Sequence, residues 1–320
     1  MPRSSALAAG AAALALVLFP SPARLQSLDG CPSAAIRQRF EEFQRAGKMP
    51  PDLGRWLSDP EAQYIEPYKA FDNVHYVGVC WVSAWLIKTR DGAILIDTLH
   101  DPFADLLIEN IRKTGVDPAD IKYVLITHGH FDHAGGAHKL KPITRAQFLM
   151  TQKGWNEAIE SAKASLGTPR RWTMIPQDRV VNDGDVIRLG EQEVRVLETP
   201  GHTWGTASYV FQVTDGDKSY RAITVGGLGL NAIESSRQVE SYIASVDRIA
   251  AMMSSPATAL PVHLTTHPFS NGLTEAARTL ATRKPGDPHP LVDPDGFMQQ
   301  LKSLRAGAVE RLAREKQAGR

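Results

Sequence analysis

The chain has 320 residues, with 36 Lys+Arg against 35 Asp+Glu and a formal charge of +1. Hydrophobic residues make up 42% and charged residues 22%, an ordinary globular composition, and the length is enough to bury a full core. So even a balance excludes nucleic acid as the main partner and a polybasic membrane-surface role, because both need a clustered positive excess. Two cysteines exclude a disulfide scaffold and a Cys-rich zinc protein.

Met1 to Ala23 reads as a signal peptide. Arg3 supplies the positive start, Ala6 to Phe19 is apolar apart from Gly10, and Ser21-Pro22-Ala23 offers small residues for cleavage. The apolar run is about 14 residues, short of the roughly 20 that span a bilayer. No later stretch is long and apolar enough to cross one, so no stable membrane insertion is expected after cleavage. The expected location is periplasmic or secreted. Removing this segment takes away Arg3 and brings the charge from +1 to 0. Residues 24–320 read as a single domain, with an N-terminal arm over 24–70 and a linker and final helix over 284–320. Export would allow Cys31 and Cys80 to bridge the arm to the first strands. The alternative is a buried thiol at Cys80 and a free one at Cys31.

Along this domain, residues 34–46 predict an amphipathic helix, followed by Met49-Pro50-Pro51. Val74–Val79, Ser83–Thr89 and Ala93–Asp97 predict strands, the last two joined by an Asp91-Gly92 hairpin turn. Asp101 to Lys113 predicts a helix burying Leu106, Leu107, Ile108 and Ile111. Ile121–Thr127 predicts a strand buried on both faces, and 145–167 a helical region. The second half repeats the texture: strands over 179–181, 185–189, 193–199, 206–213 and 220–226, a helix from Glu234 to Met253, a short strand over Ala259–Val262, and helices over 272–283 and 295–317. Each half is β-rich and then α. The pattern predicts an α/β fold: an αβ/βα four-layer sandwich of two mixed β-sheets face to face with helices outside.

The chemistry is concentrated after Ile121–Thr127, in Thr127-His128-Gly129-His130-Phe131-Asp132-His133. Imidazole nitrogen and carboxylate oxygen are the ligand set of zinc and its neighbours. His128 and His130 stand two apart and can point the same way from an extended strand end. Asp132 and His133 sit at the turn into a helix. One tetrahedral site cannot use all four groups and keep an open position, so the cluster predicts two adjacent metals.

The segment resembles the signature of the metallo-β-lactamase superfamily. The resemblance extends over residues 60 to 283. Asp97, in Ile94-Leu95-Ile96-Asp97-Thr98, resembles the family's aspartate at an early strand end. Pro200-Gly201-His202-Thr203 resembles the next ligand motif, and Thr265-Thr266-His267-Pro268 the last, in the form of subclass B3. Val79 to Leu86, Val181–Leu189 and the helix after Gly227 are similar to that subclass too. The resemblance implies an exported hydrolase with two Zn(2+) per chain that opens the β-lactam ring of antibiotics with metal-activated water. His128, His130 and His202 would hold one zinc, and Asp132, His133 and His267 the other. Asp132 would also act in catalysis by orienting the water. Asp97 would fix the ligand loops, and Gly201 and Thr203 would shape the wall. A cysteine-ligated subclass does not fit, since no Cys lies near a motif.

His263, four residues before His267, competes for the last ligand position; the family pattern favours His267 directly before the proline, leaving His263 structural. His75, His100, His138 and His289 are read as ordinary histidines. Many superfamily hydrolases carry a bridging aspartate where this chain reads Thr224-Val225-Gly226-Gly227-Leu228. Its absence weighs against phosphoesterase and glyoxalase-type activities. Subclass B3 members usually carry a serine close by, which Gly227 replaces. Trp155, Trp172 and Met174 could line a mobile wall over the metals, and Ser270 and Asn271 could bind a substrate carboxylate. The expected partner is a small-molecule substrate, a β-lactam, for a monomeric protein. The alternative is a hydrolase of the same fold acting on another ester, lactone or amide, with little β-lactam activity.

Overall fold

The computed structural model describes residues 28–317, so the signal-peptide reading of residues 1–23 lies outside the described residues. Alternation builds the first sheet: Val74 and Tyr76 are buried on either side of half-buried His75. The arm contributes α1 (Ser33–Ala46), α2 (Pro51–Trp56) and α3 (Pro60–Gln63). There follow β1 (Tyr68–Phe71), β2 (Val74–Tyr76), β3 (Trp85–Thr89), β4 (Gly92–Ile96), α4 (Phe103–Lys113) and β5 (Ile121–Leu125). Then come α5 (Phe131–Ala134), α6 (Ala137–Leu140), β6 (Gln147–Met150), α7 (Gln152–Ala164) and β7 (Arg179–Val180). The second half holds β8 (Val186–Leu189), β9 (Gln192–Glu198), β10 (Ala207–Asp215), β11 (Lys218–Thr224), α8 (Ser236–Met253), β12 (Val262–His263), α9 (Leu273–Thr282) and α10 (Pro294–Gln317).

Seven strands form one sheet in the order β1 to β7, and five form the other in the order β12-β11-β10-β9-β8. Both are mixed: β1 to β4 run antiparallel and β4 to β7 parallel, while β12 joins its antiparallel sheet by a parallel pairing with β11. Between the sheets Ile94, Ile96 and Leu125 meet Val196, Tyr209 and Phe211. Each such buried side chain is worth about 1.5–3 kcal/mol. On the outer face of the first sheet Leu95 and Val124 pack against Leu107 and Ile111 of α4; on the outer face of the second, Ile223 packs with Val246 of α8 and Leu301 of α10. The four-layer order follows from these two outer helical layers.

Several expected boundaries shift. Arg90 and Asp91 form the hairpin turn, and Gly92 already pairs with Thr89. Gln147–Met150 is a strand inside the region read as helical, and Tyr68–Phe71 is a strand with no expectation attached. The strand read as Ile121–Thr127 ends at Leu125, and Lys122 and Tyr123, which point to opposite faces, are half-buried, so burial on both faces is reached at Val124 and Leu125. The strand read as Ala259–Val262 is reduced to Val262–His263.

Cys31 and Cys80 form a disulfide with Cα atoms 5.4 Å apart. It closes the cluster of Leu28, Ile36, Leu53 and Trp56, which fixes the arm beside the first sheet.

Candidate metal centre

The ligand loops hang from the ends of β4 and β5. Asp97, 1% exposed, follows β4 and accepts hydrogen bonds from the Thr127 backbone N–H (2.8 Å) and hydroxyl, which ties the two strand ends together. The chain then passes His128 and His130 and turns into α5, which carries Asp132 and His133. Between the histidines only glycine fits: a Cβ on Gly129 would stand 2.7 Å from the Ala158 backbone nitrogen of α7.

Two groups of donors result. His128, His130 and His202 form one, and Asp132, His133 and His267 the other, each with ligand atoms within 4.8 Å of one another. His130 Nδ1 lies 3.0 Å from His128 Nε2 and 3.1 Å from His202 Nε2. Asp132 Oδ2 lies 3.4 Å from His133 Nε2 and 3.8 Å from His267 Nε2. The far side of each ring explains this. His133 Nδ1 meets Asp97 Oδ2 at 2.8 Å, His202 Nδ1 the Gly229 carbonyl at 2.6 Å, and His267 Nδ1 the Trp81 carbonyl at 2.7 Å. These partners only accept, so the Nδ1 atoms carry the protons and a neutral ring presents a bare Nε2 lone pair to the centre. His133 Nε2 is buried without a hydrogen-bond partner. Converging lone pairs repel one another unless a cation lies among them, and the donor set suits a metal of the zinc type.

Electrostatics agrees. Burial, reinforced by neighbouring imidazoles, holds His128 well below the ordinary value, and burial pushes His202 down to about 3 and His267 to about 4. These rings stay in the neutral, ligating form. Burial alone would raise Asp132, but His133, and then His267 and His130, hold it below its ordinary value. Burial opposes charge on His133 too, yet Asp132 and Asp97 outweigh it and raise the ring to about 10. With no cation at its Nε2, His133 takes up a proton there, so the position between Asp132 and His133 favours positive charge, and a bound metal would displace that proton.

Most of the expected site residues meet here. Gly201 packs against Tyr242, and buried Thr203 bonds Thr206, so both support the His202 loop. A cleft of about 1530 Å³ opens over both donor groups; Trp172, Gly227, Ser270 and Asn271 line it. Gly227 lies against the His202 ring, where a Cβ would come within 2.5 Å. Any side chain at this position, a serine included, would require the His202 side chain to move. Ser270 is engaged with the Thr265 hydroxyl (2.6 Å), and the Asn271 amide donates to the His263 carbonyl. Trp155 corrects the expectation of a wall residue: it is fully buried in the core and donates its indole N–H to Arg179. Met174 packs against the same core. Of the histidines read as ordinary, His100 lines the cleft, edge-on to Trp81 and Phe131, while belonging to neither donor group.

His263 also belongs to neither group. Its Nδ1 bonds Gln300 (2.9 Å) and its ring stacks on Phe297. Burial lowers it from 6.5 to about 4. The unfolded chain therefore takes up a proton on this ring between pH 6.5 and 4 while the folded one does not, so stability falls as pH drops through that window and is unaffected above it. At pH 5 about 2 kcal/mol of the destabilisation comes from this ring, and urea midpoints of His263→Gln should lack that part of the loss relative to pH 7.

Sequence reasoning did not single out Glu157. From α7 its carboxylate accepts the Trp204 N–H (2.8 Å) and the Gly205 N–H (3.0 Å), gripping the backbone just after His202. Two backbone donors on one carboxylate leave no signal in the sequence. Glu157→Ala should weaken metal binding by the His128, His130 and His202 group about tenfold, read by competition with a chromophoric chelator, and Glu157→Gln should recover part of it.

Residues 77–215 match the family described as the metallo-beta-lactamase superfamily. Among curated proteins, the hydroxyacylglutathione hydrolase of Chelativorans sp. (strain BNC1) is 37% identical over 135 residues, 42% of this chain and 45% of that protein. That of Rhodopseudomonas palustris (strain HaA2) is 34% identical over 136 residues, with coverage of 42% and 45%. The chain thus spans less than half the length of these curated relatives. Among solved structures, BJP-1, a subclass B3 metallo-beta-lactamase of Bradyrhizobium japonicum, has a TM-score of 0.71 at 27% identity, covering 81% of this chain and 97% of that one. MEM-A1, a subclass B3 metallo-beta-lactamase from a soil metagenome library, has a TM-score of 0.68 at 26% identity, with coverage of 80% and 98%. Native FEZ-1 from Legionella gormanii, at 24% identity, TM-score 0.72 and coverage of 79% and 98%, is alike in fold.

Proposed function

Since this chain carries a metallo-beta-lactamase superfamily domain, we propose that it is an exported dizinc hydrolase, monomeric, that opens the β-lactam ring. The observation that carries this reading is the pair of three-residue donor groups sharing one cleft, with no residue common to both. The breadth of the likeness supports the substrate: the subclass B3 structures are matched over nearly their whole length, the hydroxyacylglutathione hydrolases over less than half. The Cys31–Cys80 bond supports export, because such bonds persist in oxidising compartments.

Zinc held by these residues would lower the pKa of water from about 15.7 to near 7 and polarise the scissile carbonyl. The chain's own groups do the rest. Asp97, Gly229 and Trp81 fix three of the ligand rings in one tautomer, so no donor needs to reorganise during reaction. Asp132 turns Oδ2 toward His133 and His267, beside the position a metal would take, which leaves Oδ1 as the carboxylate oxygen able to accept a hydrogen bond from an attacking water and hold it in line. Trp81, His100 and Phe131 form an aromatic wall beside Asp132 that limits bulk water. The nitrogen released on ring opening takes its proton from solvent through the open cleft.

A second reading, hydrolysis of a thioester, lactone or other ester, is favoured by the names of the curated relatives. Nitrocefin, a carbapenem, S-lactoylglutathione and a simple lactone, assayed with and without chelator, separate the two. Chelator-sensitive β-lactam opening is the expected result. Thioester or lactone turnover without it contradicts the β-lactam reading.

A further inference from the structure

The cleft has two unlike walls. One is apolar: Phe40 of α1 stacks on Phe269 at 5.0 Å, and Phe43 and Leu57 continue the surface. The other is the segment after α7, where Arg170 and Arg171 line the cleft. Neither arginine has an ion pair or hydrogen bond among the described residues. The acidic residues that share the cleft are already engaged. Asp101 pairs with Lys139 at 2.7 Å, Asp293 accepts from the Gly296 N–H at 2.9 Å, and Asp132 faces His133 and His267. The Arg170 charge is near enough to be felt by His100, whose ring lies 4.9 Å from that of Phe131, the neighbour of Asp132. Across the cleft the Gly227 position has no room for a polar side chain, and Ser270 is engaged with Thr265.

Resting on the hydrolase reading above, we propose that Arg170 and Arg171 clamp the carboxylate of the substrate, so that this site selects anionic amides or esters whose apolar portion lies on the α1 wall. Guanidinium groups are suited to this by their planar fork of donors. The clamp moves anion recognition from the strand end at Gly226-Gly227 to the segment after α7.

The test compares benzylpenicillin with its methyl ester, which share the scissile bond and differ in the anion. The wild type should show a lower KM for the acid. Arg170→Ala/Arg171→Ala should raise the acid-to-ester KM ratio about tenfold, while Arg188→Ala, an exposed arginine paired with Glu193 away from the cleft, should leave the ratio as it is. An unchanged ratio in the double variant overturns the clamp. If neither compound is turned over, the β-lactam reading fails on its own, and calorimetry of benzylsuccinate with the metal-loaded protein judges the clamp. Binding about tenfold weaker to the double variant supports it, and equal binding overturns it.

Discussion

Asp97→Asn should leave the protein folded while disabling the metal group of Asp132, His133 and His267. The carboxylate of Asp97 receives three kinds of proton: the Thr127 N–H, the Thr127 hydroxyl and His133 Nδ1–H. An asparagine can keep its oxygen toward Thr127 only by turning its NH2 toward His133. The ring then shifts its proton to Nε2, the atom that faces Asp132, and a protonated Nε2 cannot ligate a metal. Turnover should fall about a thousandfold or more, as when an asparagine imposes the wrong tautomer on a catalytic histidine. Metal affinity should fall about 10- to 100-fold. Asp97→Ala goes further. It leaves buried donors unpaired and should cost about 3–5 kcal/mol of stability as well as the metal. Thermal melts and elemental analysis of the two variants distinguish these outcomes. An asparagine variant with full metal content and turnover would contradict the assigned role of Asp97.

Loss of the Cys31–Cys80 bond has the other large effect. The bond spans a sequence separation of 49 residues, and closing a loop of that size restricts the unfolded chain by about 4 kcal/mol. For a domain of this size the melting temperature of Cys31→Ser/Cys80→Ser should drop by about 7 °C. The consequence reaches the site, because Trp81 follows Cys80 directly and its carbonyl orients His267. The variant, or the wild type under reductant, should therefore bind the metal of the Asp132, His133 and His267 group less tightly than the oxidised protein. A melt insensitive to reductant would contradict this coupling.

The ligands were legible because the chemistry demands rare residues at short spacing: His128, His130, Asp132 and His133 come from one turn, and only His202 and His267 had to be brought in from afar. The sandwich was legible from strand-like runs whose alternation matches one buried face, as in Gln192–Glu198. Gln147–Met150 was not, because Phe148-Leu149-Met150 is a short apolar run that suits a buried helix as well as a buried strand. Trp155 was misplaced for a related reason. A tryptophan in a long polar insert suits a wall over the metals as well as a core position, and its full burial on α7 decides for the core. The roles of Glu157, Trp81 and the α1 wall depend on contacts between residues far apart in the chain, and spacing carries no trace of those.

The most direct measurement is elemental analysis of the purified protein, with nitrocefin turnover followed on the same sample as metal is withdrawn and restored. Two separate donor groups predict about two zinc ions per chain, with turnover lost and regained in step. Chains that hold no metal and still turn over substrate at the full rate would contradict the account.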